Sequence, residues 1–469
     1  MSELLAMSAA ELARAIRARK TSATEAMQAV LPAANKAHQR LNAFIRIDED
    51  SALAAARAAD SAIARGLVAG PLAGVPMAHK DMYYREGVAS SCGSKITRDR
   101  AAPATATALK RLDAAGALQF GVLNMTEFAY GPTGHNYHWG HCRNAWNPDY
   151  MTGGSSSGSG ATLAARVNFA ALGSDTGGSI RLPAHFCGVA GIKPTYGRVS
   201  RAGAMPLSFS MDTVGPLART VEDCALLLRV IAGQDPADAT SSALPVPDYV
   251  AGLDRPVKGL RIGIPAGYFY DAVDPAIRKL LDASLEVYRS LGCEAVEVAI
   301  PDMEAWNRAG SAIIAAEAAA MHANWLRERP QDYSDQVRAR LEIGAGVTAM
   351  QYLNALRLRD AALKIWLAQV MSKVDAVHAP VVAFATPTLA DTDVGSGAKM
   401  NELLALVTRL MRPVNYLGLP SLAVPCGFQP HGLPCGFQLI GRPFDEGLLF
   451  RLGHAYQRAT DWHTRRPPG

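Results

Sequence analysis

The stretch MTGGSSSGSG, residues 151–160, sets three serines between glycine pairs in a chain that otherwise favours alanine and leucine. Glycine and serine at this density are typical of a flexible linker, or of a backbone held in a shape that only glycine tolerates, with hydroxyls displayed at a reaction centre. The flanks are apolar and typical of a folded core, because GALQFGVLN precedes the stretch and ATLAARVNFAALGS follows it. The sequence therefore disfavours a free linker and predicts a site.

Two common motifs fit this stretch poorly. A phosphate-binding P-loop has the same glycine spacing, but Ser159 stands where that loop needs a lysine. The G-x-S-x-G nucleophile elbow of α/β-hydrolases would make Ser156 the nucleophile, with His431 or His454 as its base. An elbow follows directly on a buried strand, whereas the preceding RNAWNPDYMTGG is polar and interrupted by proline. Both interpretations are disfavoured.

A second Gly/Ser segment, GSDTGGSIRLPA from residue 173 to 184, suggests acyl transfer instead. Its consecutive residues Thr176, Gly177, Gly178 and Ser179 can turn main-chain N–H groups toward one point, which suits the charge that develops on a carbonyl oxygen during acyl transfer. A serine nucleophile also needs a base. Lys80 follows the apolar run AGVPMAH, and burial would favour its neutral, proton-accepting form.

Together these segments resemble the amidase signature family. GVPMAHKD is similar to the lysine motif of that family, GGSSSGSGA to its Gly/Ser motif, and DTGGSIRLPAHFCGVAGIKPT to its nucleophile motif. The three motifs occur in the family's order and at matching spacings. The similarity extends over nearly the whole chain, including LPCGFQLIGRPFDEGLLFRLGHAYQ near its end.

The resemblance implies a Ser–Ser–Lys triad. In it Ser179 is the acylated nucleophile, Ser155 relays the proton, and Lys80 is the general base and later the acid that protonates the departing amine. The family pattern places a cis peptide bond between Gly154 and Ser155. By family position, Ser156 and the serine after it are structural hydroxyls.

The same resemblance assigns supporting roles around the triad. Asp175 and Arg181 match positions that hold the nucleophile loop; an alternative role for Arg181 is to bind an acidic substrate. Tyr130, Met125 and Gly153 are expected to contact the substrate, because the segment between the lysine and serine motifs often lines the acyl pocket in similar enzymes.

The alternation of helical and strand-like patterns predicts an α/β fold. Capping boxes at Ser8-x-x-Glu11 and Ser22-x-x-Glu25 open N-terminal helices, and runs such as GLRIGIP and EAVEVAIP alternate with helices further on. This order favours a sheet covered by helices on both faces. With the resemblance, the expected architecture is an α/β/α sandwich with a large mixed central sheet.

The whole chain, residues 1–469, is expected to form one amidase domain. Its predicted parts are N-terminal helices (1–66), a core that carries the lysine and serine motifs (67–235), a mostly helical region covering the substrate pocket (about 300–400), and C-terminal strands with a helix (401–469).

Composition narrows the expected partners. The formal charge is +5 and the basic residues are scattered, which argues against a nucleic-acid or membrane surface. The seven cysteines lack CxxC spacing and are typical of reduced, mostly buried thiols in a cytoplasmic protein. The expected partner is a small-molecule amide substrate, with a homodimer left open.

No metal or other cofactor is expected. His135, His138 and His141 form H-x-x-H-x-x-H, but steps of three residues through Gly140 do not place them on one helix face, and the family resembled needs no metal. These histidines are interpreted as residues of a loop and pocket wall.

The sequence also narrows the kind of amide. The glutamine-hydrolysing A subunit of the tRNA-dependent amidotransferase, which needs partner subunits, carries an acidic residue before its PVN segment, where this chain has Thr408. Arg340 remains a candidate carboxylate binder. A stand-alone bacterial-type amidase acting on a small or aryl amide is favoured. Two alternatives stay open, an esterase with the same triad and the glutamine-hydrolysing A subunit.

Overall fold

The computed structural model describes residues 3–67 and 70–468. Within these ranges the strands are β1 Phe44–Ile47, β2 Pro76–Lys80, β3 Leu118–Leu123, β4 Ala170–Asp175, β5 Ala190–Lys193, β6 Thr213–Ala218, β7 Arg261–Ala266, β8 Glu294–Ala299, β9 Ala376–Pro380, β10 Ser421–Phe428 and β11 Pro434–Ile440. The helices are α1 Ala9–Arg17, α2 Ala23–Leu41, α3 Glu49–Ala64, α4 Thr107–Ala114, α5 Ser157–Ala164, α6 Arg181–Cys187, α7 Val221–Ile231, α8 Pro275–Ser290, α9 Met303–Glu328, α10 Asp335–Ala345, α11 Ala349–Trp366, α12 Leu389–Thr392, α13 Ala398–Thr408, α14 Arg412–Tyr416 and α15 Glu446–Ala459.

Several helices begin where the sequence supplies a cap. Ser8 and Ser22 each accept a hydrogen bond from the main chain of the glutamate three residues on, and that glutamate bonds back to the serine N–H. These are the two predicted capping boxes, and they satisfy N–H groups that have no partner inside the helix. Asp274 caps α8 in a similar way, with a proline at the first helical position.

The central sheet has eight strands in the order β4-β6-β5-β10-β11-β9-β7-β8. Pairs from β4 to β9 are antiparallel, and β9, β7 and β8 run parallel to one another. The sheet is therefore mixed, as predicted.

Helices pack on both faces of this sheet. A Cβ added at Gly453 in α15 would lie 2.6 Å from Leu422 Cδ2 of β10. The next residue of that strand, Ala423, pairs with Gly191, whose added Cβ would lie 3.1 Å from Ala184 of α6. Because successive strand residues point to opposite faces, α15 and α6 cover opposite sides of the sheet.

The strand that carries the lysine motif lies outside the central sheet. β2 pairs in parallel with β3, and β3 pairs in antiparallel fashion with β1, to form a separate three-stranded sheet. β2 contacts β4 of the large sheet, and each of the two strands ends at a residue of the site, Lys80 and Asp175. The contact between the two sheets thus brings the lysine and nucleophile motifs together.

Helices α9, α10 and α11 form a nearly continuous helical segment that follows β8. α9 and α10 contact each other, and α9 also contacts α14 and α11. Residues of α9, α10 and α13 line a cavity that opens at the nucleophile motif.

Candidate active site

Lys80 lies at the end of β2 and is only 1% exposed. Its Nζ donates hydrogen bonds to Ser155 Oγ at 2.7 Å and to Ser174 Oγ at 2.8 Å. Burial lowers the pKa of this amine to about 7, although the charges of Asp212 and Asp175 act in the opposite direction. A substantial fraction of Lys80 is therefore neutral near pH 7 and able to accept a proton.

Ser155 follows a cis peptide bond from Gly154, as the family resemblance implied. The Gly154 N–H donates to the Pro132 carbonyl at 2.7 Å, and Ser155 is fully buried. A Cβ added at Gly154 would lie 2.7 Å from both Gly131 O and Gly134 N, so a side chain there would collide with main-chain atoms. This close backbone packing explains the glycine before the relay serine.

The other serines of this stretch hold the local structure. Ser156 Oγ accepts the Ser174 N–H at 3.4 Å, and Ser159 Oγ donates to the Leu172 carbonyl at 3.1 Å. Ser157 Oγ donates at 3.4 Å to the carbonyl of Asn124, the residue after β3. These contacts fit the structural role expected for the hydroxyls beside Ser155.

The nucleophile-elbow interpretation is not supported. Neither histidine considered as its base bonds to Ser156, since the ring of His431 stacks on Tyr150 and His454 lies 3.6 Å from Asp254.

The Asp175 carboxylate organises the nucleophile loop from the end of β4. Its oxygens accept the N–H groups of Gly178 at 2.8 Å and Ile180 at 3.2 Å, and two guanidinium nitrogens of Arg181 at 3.0 Å each. Burial alone would raise the pKa of Asp175, but the Arg181 charge and hydrogen bonds hold that pKa well below its usual range. The carboxylate therefore stays ionised and fixes the turn that presents Ser179.

Arg181 is fully buried and directs its donors inward. Besides Asp175, it bonds to Gln438 Oε1 at 3.0 Å and Asn415 Oδ1 at 2.6 Å. It does not line the cavity at Ser179, so these contacts support a positioning role over substrate binding.

The four residues expected to donate main-chain N–H groups do not all face the cavity. Thr176, Gly177 and Ser179 line it, whereas the Gly178 N–H points to Asp175. The Gly177 and Ser179 N–H groups bond to no other described residue. Gly178 adopts a φ of +124°, and an added Cβ would lie 2.8 Å from Met411 Cγ. In this conformation Gly178 shapes the turn, and its N–H serves the Asp175 carboxylate instead of the cavity.

The cavity has a volume of about 230 Å³. Tyr130, predicted to contact substrate, lines it together with apolar side chains of the covering helices, among them Ile314, Ile343 and Leu404. The Ser179 hydroxyl lies in the wall of this cavity and bonds to no described residue.

Met125 and Gly153 are not among the described residues that line this cavity, so substrate contact by these two residues stays a prediction. Met125 is fully buried, and its carbonyl accepts the Asn136 side-chain amide at 2.7 Å. Gly153 has a φ of +70° and is covered by Phe186, whose Cδ2 would lie 2.7 Å from an added Cβ. Both residues therefore pack against neighbouring protein atoms.

A larger cavity of about 950 Å³ reaches Lys80 from the side of α3. Asp81, Arg85 and Asp113 also line it, but Ser155 and Ser179 do not. The smaller cavity, which contains the nucleophile candidate, is therefore the better place for acyl transfer.

Sequence reasoning missed four residues of the site. Ser174 is a second hydroxyl on the lysine amine, and Asp212 accepts the Thr176 hydroxyl at 2.5 Å. Asn415 donates to Asp175 Oδ1 at 2.8 Å, and Arg412 lines the cavity. Ser174 lies inside the second Gly/Ser segment and Asn415 inside the PVN segment, so the sequence offered a signal for both. Asp212 and Arg412 reach the site only through tertiary packing.

The histidine and cysteine patterns have ordinary structural explanations. His138 Nε2 lies 2.8 Å from Glu127 Oε1, and His135 Nε2 lies 2.9 Å from Thr392 Oγ1. Within residues 3–67 and 70–468 no three His, Cys, Asp or Glu side chains form a group able to hold a metal ion.

All seven cysteines are buried and free of disulfides, as their spacing predicted. Of the helices in the same ranges, none is long and apolar enough to cross a membrane.

A buried amine is bonded to a serine, beside a loop that presents a second serine and free N–H groups to a small cavity. These are the kinds of groups that serine-dependent acyl transfer requires. The chain belongs to the amidase family, whose sequence profile, Amidase, matches residues 25–450. It is an amidohydrolase, as the resemblance implied.

Similar proteins span the full chain. The A subunit of the glutamyl-tRNA(Gln) amidotransferase from Geobacter metallireducens is 39% identical over 99% of this chain and 99% of its own length. Among solved structures, a chain of a vestigial protein complex that reveals the evolutionary origins of an s-triazine catabolic enzyme is 37% identical, with a TM-score of 0.90 over 99% of this chain and 100% of that chain. The native peptide amidase of Stenotrophomonas maltophilia is 29% identical, with a TM-score of 0.84 over 99% and 98%.

Proposed function

We propose that the chain hydrolyses the C–N bond of a small or aryl carboxamide through an acyl intermediate on Ser179. The observation that carries this proposal is the 2.7 Å hydrogen bond between the Lys80 amine and Ser155, in a buried setting that lowers the lysine pKa to about 7. A neutral amine on a serine hydroxyl is a ready proton acceptor, and the loop held by Asp175 supplies the nucleophile.

In the proposed reaction, Ser179 Oγ attacks the amide carbon while its proton passes to Ser155 and the proton of Ser155 passes to Lys80. The negative charge that forms on the carbonyl oxygen is stabilised by main-chain N–H groups of the loop, with Gly177 and Ser179 as principal donors. The proton then returns through Ser155 to the amine nitrogen as the C–N bond breaks. Water attacks the acyl-serine by the same relay, which releases the carboxylate and restores Ser179.

The test is an amide-substrate panel with the purified chain and three single variants. Ser179→Ala should lower kcat/KM by at least about 10⁴-fold, because the nucleophile is lost. Ser155→Ala and Lys80→Ala should each lower it by about 10² to 10⁴-fold, the usual contribution of proton transfer. Wild-type turnover in Ser179→Ala would exclude the mechanism.

Ser157→Ala is a matched control. Ser157 is as buried as Ser155 and lies two residues away, yet its hydroxyl contacts the Asn124 carbonyl at 3.4 Å and the Cys142 thiol, and not the Lys80 amine. Activity should remain within a few-fold of wild type. A loss as large as that of Ser155→Ala would mean that disruption of the loop, and not proton relay, explains both variants.

A second candidate function is that of a glutamine-hydrolysing A subunit, favoured by the 39% identity to such a protein over the whole chain. Thr408, where those proteins were expected to carry an acidic residue, lies in the wall of the cavity and leaves an amino-acid ammonium group without a carboxylate partner there. Ammonia release from simple amides by the purified chain alone favours the stand-alone amidase, and a strict requirement for added partner proteins favours the alternative.

A further inference from the structure

The cavity at Ser179 is positively charged. The described residues that line it include Arg340 and Arg412 but no Asp or Glu. Its remaining wall is formed by small and apolar side chains together with a few neutral polar groups such as Thr408 and Asn401. The cavity therefore favours a negatively charged group of a ligand over a positively charged one.

Arg412 has neutral partners only. It donates from Nη1 to Asn307 Oδ1 at 2.7 Å and from Nη2 to the Thr408 hydroxyl, and it forms no ion pair with a described residue. Burial lowers its pKa to about 10, and the charge of Arg340 acts in the same direction. A guanidinium has five N–H donors, so donors remain for a ligand.

Arg340 likewise has only neutral partners among the described residues and forms no ion pair with them. Its Nη1 donates to the Tyr130 carbonyl at 2.7 Å, and its guanidinium carbon lies 3.6 Å from the centre of the Tyr130 ring. Burial lowers its pKa, partly offset by Tyr130. Two like charges that repel each other in a partly buried wall are stabilised by an anion placed between them.

Glu304, a carboxylate that raises the pKa of Arg412, forms no ion pair with either arginine. Glu304 acts on the Arg412 charge from a distance, but its closest basic contact is Arg409 Nε at 3.6 Å, on a residue that does not line the cavity. The cavity therefore keeps an excess of positive charge.

We propose that the natural substrates are amides that carry a carboxylate and no ammonium group, with the carboxylate bound by Arg412 and Arg340 while the amide carbon lies at Ser179. This inference rests on the proposed function and specifies its substrate class. The apolar residues Ile314 and Leu404 lie in the same wall and would contact a short aliphatic chain between the two ends. An α-ammonium group would meet two guanidinium charges and Thr408, with no carboxylate to accept it.

Three substrates of nearly equal size isolate the charge. Glutaramate has a terminal carboxylate, pentanamide has a methyl group in its place, and L-glutamine adds an ammonium group to glutaramate. We expect kcat/KM for glutaramate to exceed that for each of the other two by at least about 10-fold, the effect expected of a charge-assisted hydrogen bond. N-acetylglycine and N-ethylacetamide form a second pair that tests a carboxylate on the amine side.

Variants of Arg412 locate the effect. Arg412→Gln should lower kcat/KM for glutaramate by about 10- to 100-fold, mainly through KM, and change pentanamide by less than about threefold. Arg412→Lys should recover part of the loss because it keeps the charge. The matched control is Arg409→Gln, which removes a nearby arginine outside the cavity and should leave the preference for glutaramate unchanged.

Binding without turnover separates this inference from the proposed function. Ser179→Ala, titrated with glutaramate by calorimetry, should bind it, and the added Arg412→Gln change should weaken binding by about 10-fold or more. If no amide is hydrolysed but this binding pattern holds, the proposed function fails while the anion site stands. If pentanamide is cleaved as well as glutaramate and Arg412→Gln affects both alike, the proposed function stands and the anion site is refuted.

Discussion

Replacing Lys80 by methionine tests the unusual environment of the lysine directly. Methionine keeps much of the length of the side chain but cannot be charged, and Lys80 is almost completely buried. Its pKa in the folded protein falls from an ordinary 10.5 to about 7 because burial disfavours the ammonium. By linkage, this shift makes the stability of the wild type depend on pH in a way that the variant lacks.

The size and sign of the effect follow from the two pKa values. Below about pH 7 Lys80 is charged in both states, and burying the charge costs the folded state roughly 5 kcal/mol. Between about pH 7 and 10.5 only the unfolded state binds the proton, so raising the pH favours folding by about 1.4 kcal/mol per pH unit. The free energy of unfolding of the wild type minus that of Lys80→Met should therefore rise by about 3 kcal/mol between about pH 6 and 9.5.

Urea unfolding of both proteins across this pH range measures the difference. The titration of other groups affects both proteins alike and cancels in the difference between their free energies of unfolding. Loss of the hydrogen bonds from Lys80 to the two serines shifts this difference by a constant and does not change its slope with pH. Lys110→Met is the matched control, because Lys110 is exposed on α4, and its difference from wild type should stay flat. A flat difference for Lys80→Met as well would show that the lysine is not held in a low-dielectric site and would remove the argument for it as a base.

The same pKa predicts the pH dependence of catalysis. Because neutral Lys80 is the reactive form, kcat/KM of the wild type should rise with pH through about 7 and level off above it. The adjacent His79 cannot cause this rise of kcat/KM near pH 7, since burial lowers the pKa of His79 to about 3. A pH–rate profile that falls across this range would contradict the assignment.

Three further changes have defined outcomes. Asp175→Asn should lower the free energy of unfolding by about 3–5 kcal/mol in chemical denaturation, because Arg181 then stays buried without a counter-charge; unchanged stability would refute the role of this pair. Gly154→Ala should abolish activity or folding, since its Cβ would lie 2.7 Å from main-chain atoms, and circular dichroism with an amide assay will show which; near wild-type activity would contradict the packing described. Thr408→Asp places a carboxylate on Arg412 and should lower kcat/KM for glutaramate by about 10-fold or more while narrowing its advantage over L-glutamine; an undiminished preference would count against Arg412 as the anion site.

The sequence predicted the elements of the fold well because their signals are local. Capping boxes at Ser8 and Ser22, the proline that begins α8, and the helical segment after β8 depend on residues a few positions apart. The separate sheet that carries Lys80 was not predicted, since the pairing of β2 with β3 depends on contacts between distant parts of the chain.

The residues of the candidate site likewise include some that the sequence indicates and some that only the folded structure reveals. Lys80 was a candidate base because it follows an apolar run, whereas the roles of Ser155 and Asp175 followed from the resemblance to the amidase signature family. The structure places Lys80 and Ser155 in contact. Gly178 looked equivalent to its neighbours in sequence, but its N–H turns to Asp175, an outcome set by the loop's φ angles. Arg412 stood unremarked before PVN, because only the packing of α14 against α9 brings it to the cavity wall.

The role of Ser179 as the nucleophile is tested by locating the residue that is covalently modified during turnover. The chain is mixed with an amide that it cleaves, quenched in acid within the steady state, digested and analysed by mass spectrometry. We expect one acyl adduct on the peptide that contains Ser179, and none in Ser179→Ala. An adduct on another residue, or full turnover by Ser179→Ala, would contradict it.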